Sequence, residues 1–180
     1  MSMNIFVLCT GRCGSTTFSK ACSEIRNYSS GHETRTSKIL DERMCYPQNH
    51  IEVDNRLSWL LGRLDKTYGN DAFYVHLRRN EEKVVESFEK RYERGIIKAY
   101  RGSGIMLGLS ENVDSKSVCR DYVRTVTENI DLFLSNKSNV MSVWLEDIKT
   151  DFPEFCNQIA ADVSIENALE HFNLTYNASK

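Results

Sequence analysis

The amino-acid sequence predicts an α/β protein of three layers, in which helices cover both faces of a central, mainly parallel sheet. Three observations lead to this fold class. Short apolar runs of strand length alternate with amphipathic helical segments, which is the pattern of consecutive βαβ units. The first run is continuously apolar, as expected of a strand buried on both faces. The length of 180 residues suits one domain spanning residues 1–180, and no repeat or linker divides it.

The first predicted strand and helix flank the most informative segment of the chain. Met3 to Cys9 is the apolar run that predicts the buried strand. Thr10 to Thr17 is a turn punctuated by Gly11 and Gly14. The apolar residues that recur at helical spacing after this turn are Phe18, Ala21, Cys22 and Ile25. The segment therefore reads as strand, glycine loop and amphipathic helix.

The rest of the chain continues the alternation. Further strands are predicted at His50 to Val53, Phe73 to Leu77 and Val140 to Leu145. The predicted helices are one carrying Leu57, Leu60, Leu61 and Leu64 on one face, and three more at Glu81 to Glu93, Ser117 to Leu134 and Phe152 to Ile159. Residues 101–110 contain three glycines and predict a mobile loop, with the hypothesis that it closes over a bound ligand.

The charge balance excludes some classes of partner. The chain has 23 Lys and Arg against 25 Asp and Glu, so it lacks the broad basic field of a nonspecific nucleic-acid binder. The balance is uneven, with 19 basic and 15 acidic residues in the first 120 positions against 4 and 10 in the last 60. An anionic ligand is therefore expected in the first two thirds.

Apolar runs and cysteine spacing indicate a protein without a membrane or metal role. No run near the start is long enough for a membrane span or a signal peptide. The six cysteines lack the spacing of zinc ligands and are interpreted as reduced thiols. We expect a soluble, cytoplasmic protein that binds neither membrane nor nucleic acid. No motif indicates an oligomeric state.

The glycine loop has the composition of a phosphate site. A loop between a buried strand and a helix presents free backbone N–H groups and the positive end of the helix dipole. Gly11 and Gly14 allow close approach of the backbone, Ser15 and Thr16 add hydroxyl groups, and Arg12 adds a full positive charge. The alternative is a tight turn that carries a solvent-exposed arginine.

Two common phosphate loops do not match. The nucleotide-triphosphatase loop has a lysine after its second glycine, and the residue after Gly14 is Ser15. The loop of low-molecular-weight phosphatases needs an arginine six residues after its cysteine, and counting from Cys9 that position is again Ser15. Cys9 is therefore interpreted as a buried structural thiol.

Two motifs in this order resemble those of sulfotransferases that use 3′-phosphoadenosine 5′-phosphosulfate (PAPS). Arg12-Cys13-Gly14-Ser15-Thr16 is similar to the 5′-phosphosulfate loop of that family. Arg79, at a strand end, precedes Ser87 by eight residues, like the pair that holds the 3′-phosphate, although the family often has proline at the position of Glu81. A looser likeness is the segment Val143 to Ile148.

The resemblance implies a P-loop-like sulfotransferase fold, PAPS as donor, 3′,5′-adenosine bisphosphate (PAP) as product, and no metal. The cofactor-binding residues that it implies are Gly11, Arg12, Cys13, Gly14, Ser15, Thr16, Thr17, Arg79 and Ser87. Arg12 would also stabilise the leaving phosphate. Arg78 and Arg79 are adjacent at a strand end and point to opposite faces, so only one can face the ligand. The motif spacing selects Arg79 and leaves Arg78 for a surface salt bridge.

The base that takes the acceptor proton has several candidates. Glu33 is the first choice, because several sulfotransferases place a catalytic glutamate after the first helix, and His32 is the second. His50 is a further candidate, because small-molecule sulfotransferases use a histidine. His76, inside a strand, is interpreted as a core residue.

Other polar residues are assigned less specific roles. Glu52 and Asp54 share one face of the His50 strand and either contact an acceptor or form structural hydrogen bonds. The basic positions Lys83, Lys90 and Arg94 alternate with glutamates and are interpreted as a solvated helix face.

The sequence therefore predicts a PAPS-dependent sulfotransferase that acts on the hydroxyl of a carbohydrate or a small alcohol. Two rival functions stay open. One is a nucleotide kinase or phosphatase with a degenerate loop, which would use a triphosphate and magnesium. The other is a noncatalytic protein that binds the nucleotide without turnover.

Overall fold

The computed structural model describes residues 3–110 and 112–174, and its centre is a five-stranded sheet. The strands lie in the order β2-β3-β1-β4-β5, and each neighbouring pair is parallel. Their bounds are β1 Asn4–Leu8, β2 Ser29–His32, β3 His50–Val53, β4 Ala72–Arg78 and β5 Val140–Trp144. The strands of the middle, β1, β3 and β4, are almost wholly buried, as parallel strands covered on both faces should be.

Seven α-helices lie within the described residues. They are α1 Ser15–Cys22, α2 Leu61–Tyr68, α3 Glu81–Glu89, α4 Gly95–Ala99, α5 Ser115–Leu134, α6 Ile148–Gln158 and α7 Ile165–Glu170. Shorter 3-10 turns are Leu40–Arg43, Asn55–Trp59 and His171–Asn173, and Tyr100–Gly104 is a kinked turn after α4. Over 3–110 and 112–174, none of the helices combines the length and apolarity that a bilayer crossing needs.

Consecutive residues of β4 show how helices cover both faces of the sheet. Phe73 packs its ring 6.5 Å from that of Phe155 on α6, whereas the Tyr74 ring lies 5.1 Å from that of Phe133 on α5. Successive side chains of a strand point to opposite faces. The helices α5 and α6 therefore lie on opposite sides of the sheet, and the predicted three-layer α/β fold is confirmed.

The parallel register brings the loops that follow β1, β3 and β4 to one edge of the sheet. Val7 of β1 is aligned with Val53 of β3 and Val75 of β4, so the carboxyl ends of these strands point to the same edge. From β1 the chain crosses to β2, returns through β3, and then passes to β4 and β5 on the other side of β1. This reversal is the topological switch point of an open α/β sheet, where ligands bind beyond the carboxyl ends of the strands.

Most predicted elements are present, with changes at their ends. The strands predicted at 3–9, 50–53, 73–77 and 140–145 are found within one or two residues of those bounds. The helix predicted at 81–93 already ends at 89, and the one predicted at 152–159 begins at 148. Strand β2 was not predicted, because its sequence Ser-Ser-Gly-His is polar and lies half-exposed at the sheet edge. The short helices α4 and α7 were not predicted either.

Two carboxylates of the β3 segment are fully buried and bonded within the chain. Asp54 accepts a hydrogen bond from Arg43 at 2.6 Å, and this pair is shielded from solvent. Glu52 accepts bonds from His50 at 2.9 Å and from the Thr34 hydroxyl at 2.7 Å. The structure therefore favours the structural role for Glu52 and Asp54 over contact with an acceptor.

We predict that Arg43→Met lowers the free energy of unfolding by about 3–5 kcal/mol, because it leaves the buried charge of Asp54 without its partner. The measurement is urea denaturation followed by circular dichroism. The matched control is Arg26→Met, since Arg26 pairs with Asp162 on the surface and is 74% exposed. The control should lose no more than about 1 kcal/mol. Equal losses in the two variants would contradict the account of the buried pair.

Candidate functional site

The loop between β1 and α1 has an uncommon backbone. Gly11, Arg12 and Gly14 all have left-handed backbone angles, with φ of 87°, 61° and 83°. A left-handed conformation costs a residue with a side chain about 1–2 kcal/mol, so Arg12 is held there by its surroundings. Gly14 caps α1 without a side-chain hydrogen bond. The first N–H groups of this helix thus have no side-chain cap and face the end of the loop, as at anion sites.

Both glycines also lie in close contact with neighbouring side chains. A Cβ atom on Gly11 would lie 2.9 Å from Nδ2 of Asn55, and one on Gly14 would lie 3.0 Å from Cδ1 of Leu145. The loop is therefore pressed against the segments that follow β3 and β5. This contact fixes the loop at the edge of the sheet.

Guanidinium groups gather beside the loop. The Nε of Arg12 donates to the hydroxyl of Ser87 at 3.0 Å, and Nη1 of Arg79 donates to the carbonyl of Arg12 at 3.1 Å. Burial lowers the pKa of Arg12, and the nearby charges of Arg91 and Arg79 lower it further. An anion bound among the three groups would remove this repulsion. The arrangement is therefore that of a site for a phosphate or sulfate group.

The loop and these arginines line a cleft of about 640 Å³ at the carboxyl edge of the sheet. Such a volume is within the range of small-molecule sites, about 300–1,000 Å³. The charged side chains among its described lining residues are Arg12, Arg56, Arg79, Arg91, Arg94 and the single carboxylate Glu33. The cleft is therefore strongly basic although the whole chain has a net charge of −2.

Strand β2 delivers two of the predicted base candidates to the cleft. Nε2 of His32 lies 3.1 Å from the hydroxyl of Ser15 in the loop. Glu33, the next residue, has a left-handed φ of 53°, and its carboxylate pairs with Nη1 of Arg56 at 2.6 Å. His32 thus contacts the loop between β1 and α1, and Glu33 lines the same cleft, where Arg56 of the turn after β3 holds its carboxylate.

The buried carboxylates brace the segments that carry Glu33 and Arg56. Glu52 accepts the backbone N–H of Thr34 at 2.7 Å, and Asp54 accepts that of Arg56 at 2.7 Å. Burial opposes the charge of Glu52, but bonds from His50 and Thr34 outweigh it and lower its pKa. Burial raises the pKa of Asp54 against the attraction of Arg43. Each carboxylate therefore orders the backbone next to one member of the Glu33–Arg56 pair.

Most of the predicted site residues are brought together. The predicted residues that line the cleft are Gly11, Arg12, Gly14, Ser15, Thr16, Thr17, His32, Glu33 and Arg79. Ser87 reaches the site through its bond with Arg12. Cys13 is buried within the loop, where its Sγ lies 3.2 Å from the Thr10 hydroxyl.

The structure does not bring His50 to the cleft. His50 is the first residue of β3, so it lies at the amino end of the strand, whereas the cleft lies at the carboxyl ends. It is buried, and its ring nitrogens bond to Ser29 at 2.8 Å and to Glu52 at 2.9 Å. As a candidate base, His50 is corrected to a core residue of the network around Glu52.

The other residues singled out from the sequence fall outside the cleft. Cys9 is fully buried, and the hydrogen bond with Cys13 together with burial raises the pKa of its thiol. His76 is buried 3.0 Å from Asp131, and its pKa is lowered by burial to about 4. Arg78 pairs with Asp131 on the surface side. No residue of 101–110 lines the cleft, so the hypothesis of a closing loop there gains no support.

Sequence reasoning missed three arginines of the cleft. Arg91 and Arg94 follow α3, because that helix ends at Glu89, and the turn after it carries them to the cleft. Arg94 is solvent-exposed as predicted, but it lies in the turn before α4 and not on the helix, and it lines the cleft. Arg56 lies in the 3-10 turn after β3. The available signal was the excess of basic residues between positions 78 and 101.

The described residues contain no cluster suited to a metal ion and no disulfide. Over the part of the chain that the structure describes, no group of three or more His, Cys, Asp or Glu side chains is arranged to hold a metal ion. The six cysteines all lie within the described residues and are free thiols, five of them buried.

Comparison with known proteins identifies the fold. No protein-family model and no curated protein matches the sequence. The solved sulfotransferase domain from the curacin biosynthetic pathway superposes with a TM-score of 0.66 at 14% identity, over 97% of this chain and 79% of that chain. Mouse sulfotransferase SULT7A1, crystallised with PAP, superposes with a TM-score of 0.64 at 14% identity, over 94% of this chain. This chain spans 63% of the mouse protein.

We predict that Arg91→Ala weakens binding of inorganic phosphate by about tenfold, because a charged hydrogen bond contributes on the order of 1.5–3 kcal/mol. The measurement is the midpoint of thermal unfolding against phosphate concentration at constant ionic strength. Arg26→Ala is the control, since Arg26 lies on the surface outside the cleft. Wild-type phosphate affinity in Arg91→Ala would show that this residue does not contribute to the anion site.

Proposed function

We propose that this chain, which has the fold of sulfotransferases, transfers a sulfuryl group from PAPS to the hydroxyl of an acceptor. The observation that supports this best is the convergence of the left-handed loop Gly11–Gly14 with Arg12 and Arg79 on one basic cleft at the switch point of the sheet. In this proposal residues 1–180 form a single sulfotransferase domain. The two superposed structures support it, since each is named a sulfotransferase and one was crystallised with PAP.

The residues of the cleft suit both phosphate groups of PAPS. The loop from Gly11 to Thr17, with the N-terminus of α1, would hold the 5′-phosphosulfate. Arg79 would hold the 3′-phosphate, aided by Arg91, and Ser87 would fix the guanidinium of Arg12. Beyond the loop the wall becomes apolar, with Leu145, Ile148, Phe172 and Leu174, and offers a surface for the purine.

The reaction needs a proton acceptor and a stabilised leaving group. When bound, PAPS supplies an electrophilic sulfuryl group joined to a phosphate that leaves. In the proposed mechanism Glu33 accepts the proton of the acceptor hydroxyl while the hydroxyl oxygen bonds to sulfur. Arg56 orients the Glu33 carboxylate. Arg12 and the N-terminus of α1 stabilise the negative charge that develops on the leaving phosphate. The loop and the arginines hold the reacting groups in line.

His32 is the alternative base, and a physical argument places it second. Its Nε2 is already engaged with the hydroxyl of Ser15. A histidine that donates to this hydroxyl oxygen turns the Ser15 proton toward the anion site. In this role His32 prepares the loop. Glu33 pairs with Arg56 through Oε2, and the proposal assigns the acceptor proton to its other oxygen, Oε1.

The free thiols and the loop sequence also bear on the compartment of the protein and on the two rival functions. Six free thiols suit a reducing compartment such as the cytoplasm. A kinase or phosphatase would bind a triphosphate with magnesium, yet Ser15 stands where such loops carry lysine. A noncatalytic protein would bind PAP and transfer no sulfate to any acceptor.

We predict that Arg79→Ala costs about 2–4 kcal/mol of PAP affinity, because a partly buried charged contact with the nucleotide would lose one partner. The measurement is isothermal titration calorimetry with PAP. The control is Arg78→Ala, the adjacent residue that pairs with Asp131 outside the cleft. Unchanged affinity in Arg79→Ala would remove the 3′-phosphate role. Tighter binding of ATP with magnesium than of PAP to the wild type would favour a kinase.

We predict that Glu33→Gln slows sulfate transfer at least about a hundredfold and leaves PAP affinity intact, since the amide keeps the shape and loses the base. The measurement is the initial rate of transfer from labelled PAPS. Glu154→Gln, on the exposed side of α6, is the control and should behave as the wild type. A Glu33→Gln variant with normal turnover would assign the base to His32.

A further inference from the structure

A second cleft adjoins the candidate site. It has a volume of about 620 Å³ and is formed by the segments 36–43, 56–63 and 95–99; we call it the side groove. Arg56, Gly95 and Ile96 line both the side groove and the cleft of the phosphate loop. A ligand can therefore lie in the side groove and extend one end into the cleft.

Apolar side chains dominate the surface of the side groove. Ile39 and Leu40 are adjacent on its rim and are 74% and 75% exposed. Trp59 and Leu60 lie in the groove and pack from there against the hydrophobic core. Large apolar side chains that are exposed together, next to a cleft, are typical of binding surfaces.

The backbone of Leu40 supports a binding role. Leu40 has a left-handed φ of 49°, which is costly for a branched apolar residue, and its carbonyl accepts a hydrogen bond from Arg63 of the same groove. Strained residues persist where the surrounding structure holds them, and they cluster at ligand clamps. Here the strained residue keeps its apolar side chain on the rim.

The charges of the side groove exclude one class of ligand. Its described lining residues include four basic side chains, Lys38, Arg43, Arg56 and Arg63, and no acidic one. The first three pair with the carboxylates Glu42, Asp54 and Glu33, which lie outside the groove lining. A ligand with an ammonium group on its apolar part would contact basic side chains and no carboxylate of the groove lining, whereas a neutral or anionic ligand would not be repelled.

The proposed base lies where the two clefts meet. Arg56 lines both of them, and the carboxylate of Glu33 is 2.6 Å from its Nη1. A hydroxyl group at the inner end of a ligand in the side groove would therefore reach the neighbourhood of Glu33. The apolar remainder of the ligand would stay between Ile39, Leu40 and Trp59.

We propose that the side groove binds the acceptor, and that the acceptor is an alcohol with an extended apolar body and no cationic group. The proposal rests on the proposed function and narrows its acceptor from a carbohydrate or small alcohol to an apolar alcohol. The hydroxyl proton goes to Glu33 and the hydroxyl oxygen bonds to the sulfur of PAPS, whose bond to the phosphate breaks.

Three acceptors test the proposal: one with an apolar chain, one with the same chain and an ammonium group, and one without an apolar chain. They are octan-1-ol, the cationic analogue 8-aminooctan-1-ol, and glucose, assayed with labelled PAPS. We expect kcat/KM for octan-1-ol to exceed that of each of the others at least about tenfold, because glucose has no methylene chain to bury and the ammonium group would be opposed by the basic lining of the side groove. A higher value for glucose or for the amine would overturn the proposal.

A negative charge introduced on the rim tests whether the acceptor binds in the side groove. Ile39→Glu should raise KM for octan-1-ol at least about fivefold, because it places a hydrated carboxylate on the apolar rim, and should leave PAP affinity at the wild-type value. Leu107→Glu is the matched control, since Leu107 is 89% exposed and lines neither cleft. Wild-type KM in Ile39→Glu, with the control also normal, would overturn the location.

Direct binding separates this proposal from the proposed function. Saturation-transfer NMR detects octan-1-ol on the wild type and on Ile39→Glu, with calorimetry of PAP measured in parallel. Loss of the octan-1-ol signal in Ile39→Glu supports the side groove even if PAP does not bind, an outcome that would contradict the proposed function alone. PAP binding without an octan-1-ol signal in the wild type would overturn the side groove alone.

Discussion

Burial lowers the pKa of the Arg12 guanidinium in the cleft, and the nearby charges of Arg91 and Arg79 lower it further, so a bound anion would offset the repulsion that Arg12 experiences from Arg91 and Arg79. The fold holds them close in spite of this cost. Arg12 stands in a left-handed loop pressed against Asn55 and Leu145, and Arg79 follows the buried strand β4. The parallel sheet supplies the rigidity, because β1 and β4 end at one edge and are covered by helices on both faces.

The segments that carry Glu33 and Arg56 rest on buried carboxylates. Two buried carboxylates, Glu52 and Asp54, order the backbone at Thr34 and Arg56, and Asp54 is itself neutralised by Arg43. The pair Glu33–Arg56 stands on this support, between the anion cleft and the side groove. In the proposed mechanism Glu33 is the proton acceptor, and it lies between the basic cleft, which would hold the anionic donor, and the side groove, which would hold an apolar alcohol.

The sequence predicted the glycine loop and Arg79 correctly, because short-range motifs determine both. Glycine at positions 11 and 14 predicts a loop with left-handed backbone angles. The motif spacing selects Arg79 over Arg78, and in the structure Arg79 lines the cleft whereas Arg78 pairs with Asp131. Ser87 bonds to Arg12. Arg91 and Arg94 were missed because their position depends on where α3 ends, which tertiary packing decides. Strand β2 was missed because an edge strand needs few apolar residues. His50 was misplaced although its position at the start of a strand already puts it at the edge away from the ligand.

The most direct measurement of the central claim is a crystal structure of the protein with PAP. The account predicts the 5′-phosphate within hydrogen-bond distance of the backbone N–H groups and hydroxyls of the loop Gly11–Thr17, with the 3′-phosphate on the guanidinium of Arg79. It also predicts that the side groove stays open next to the 5′-phosphate, with the carboxylate of Glu33 facing the gap. A nucleotide bound elsewhere, or bound in the cleft with its 5′-phosphate away from the loop, would contradict it.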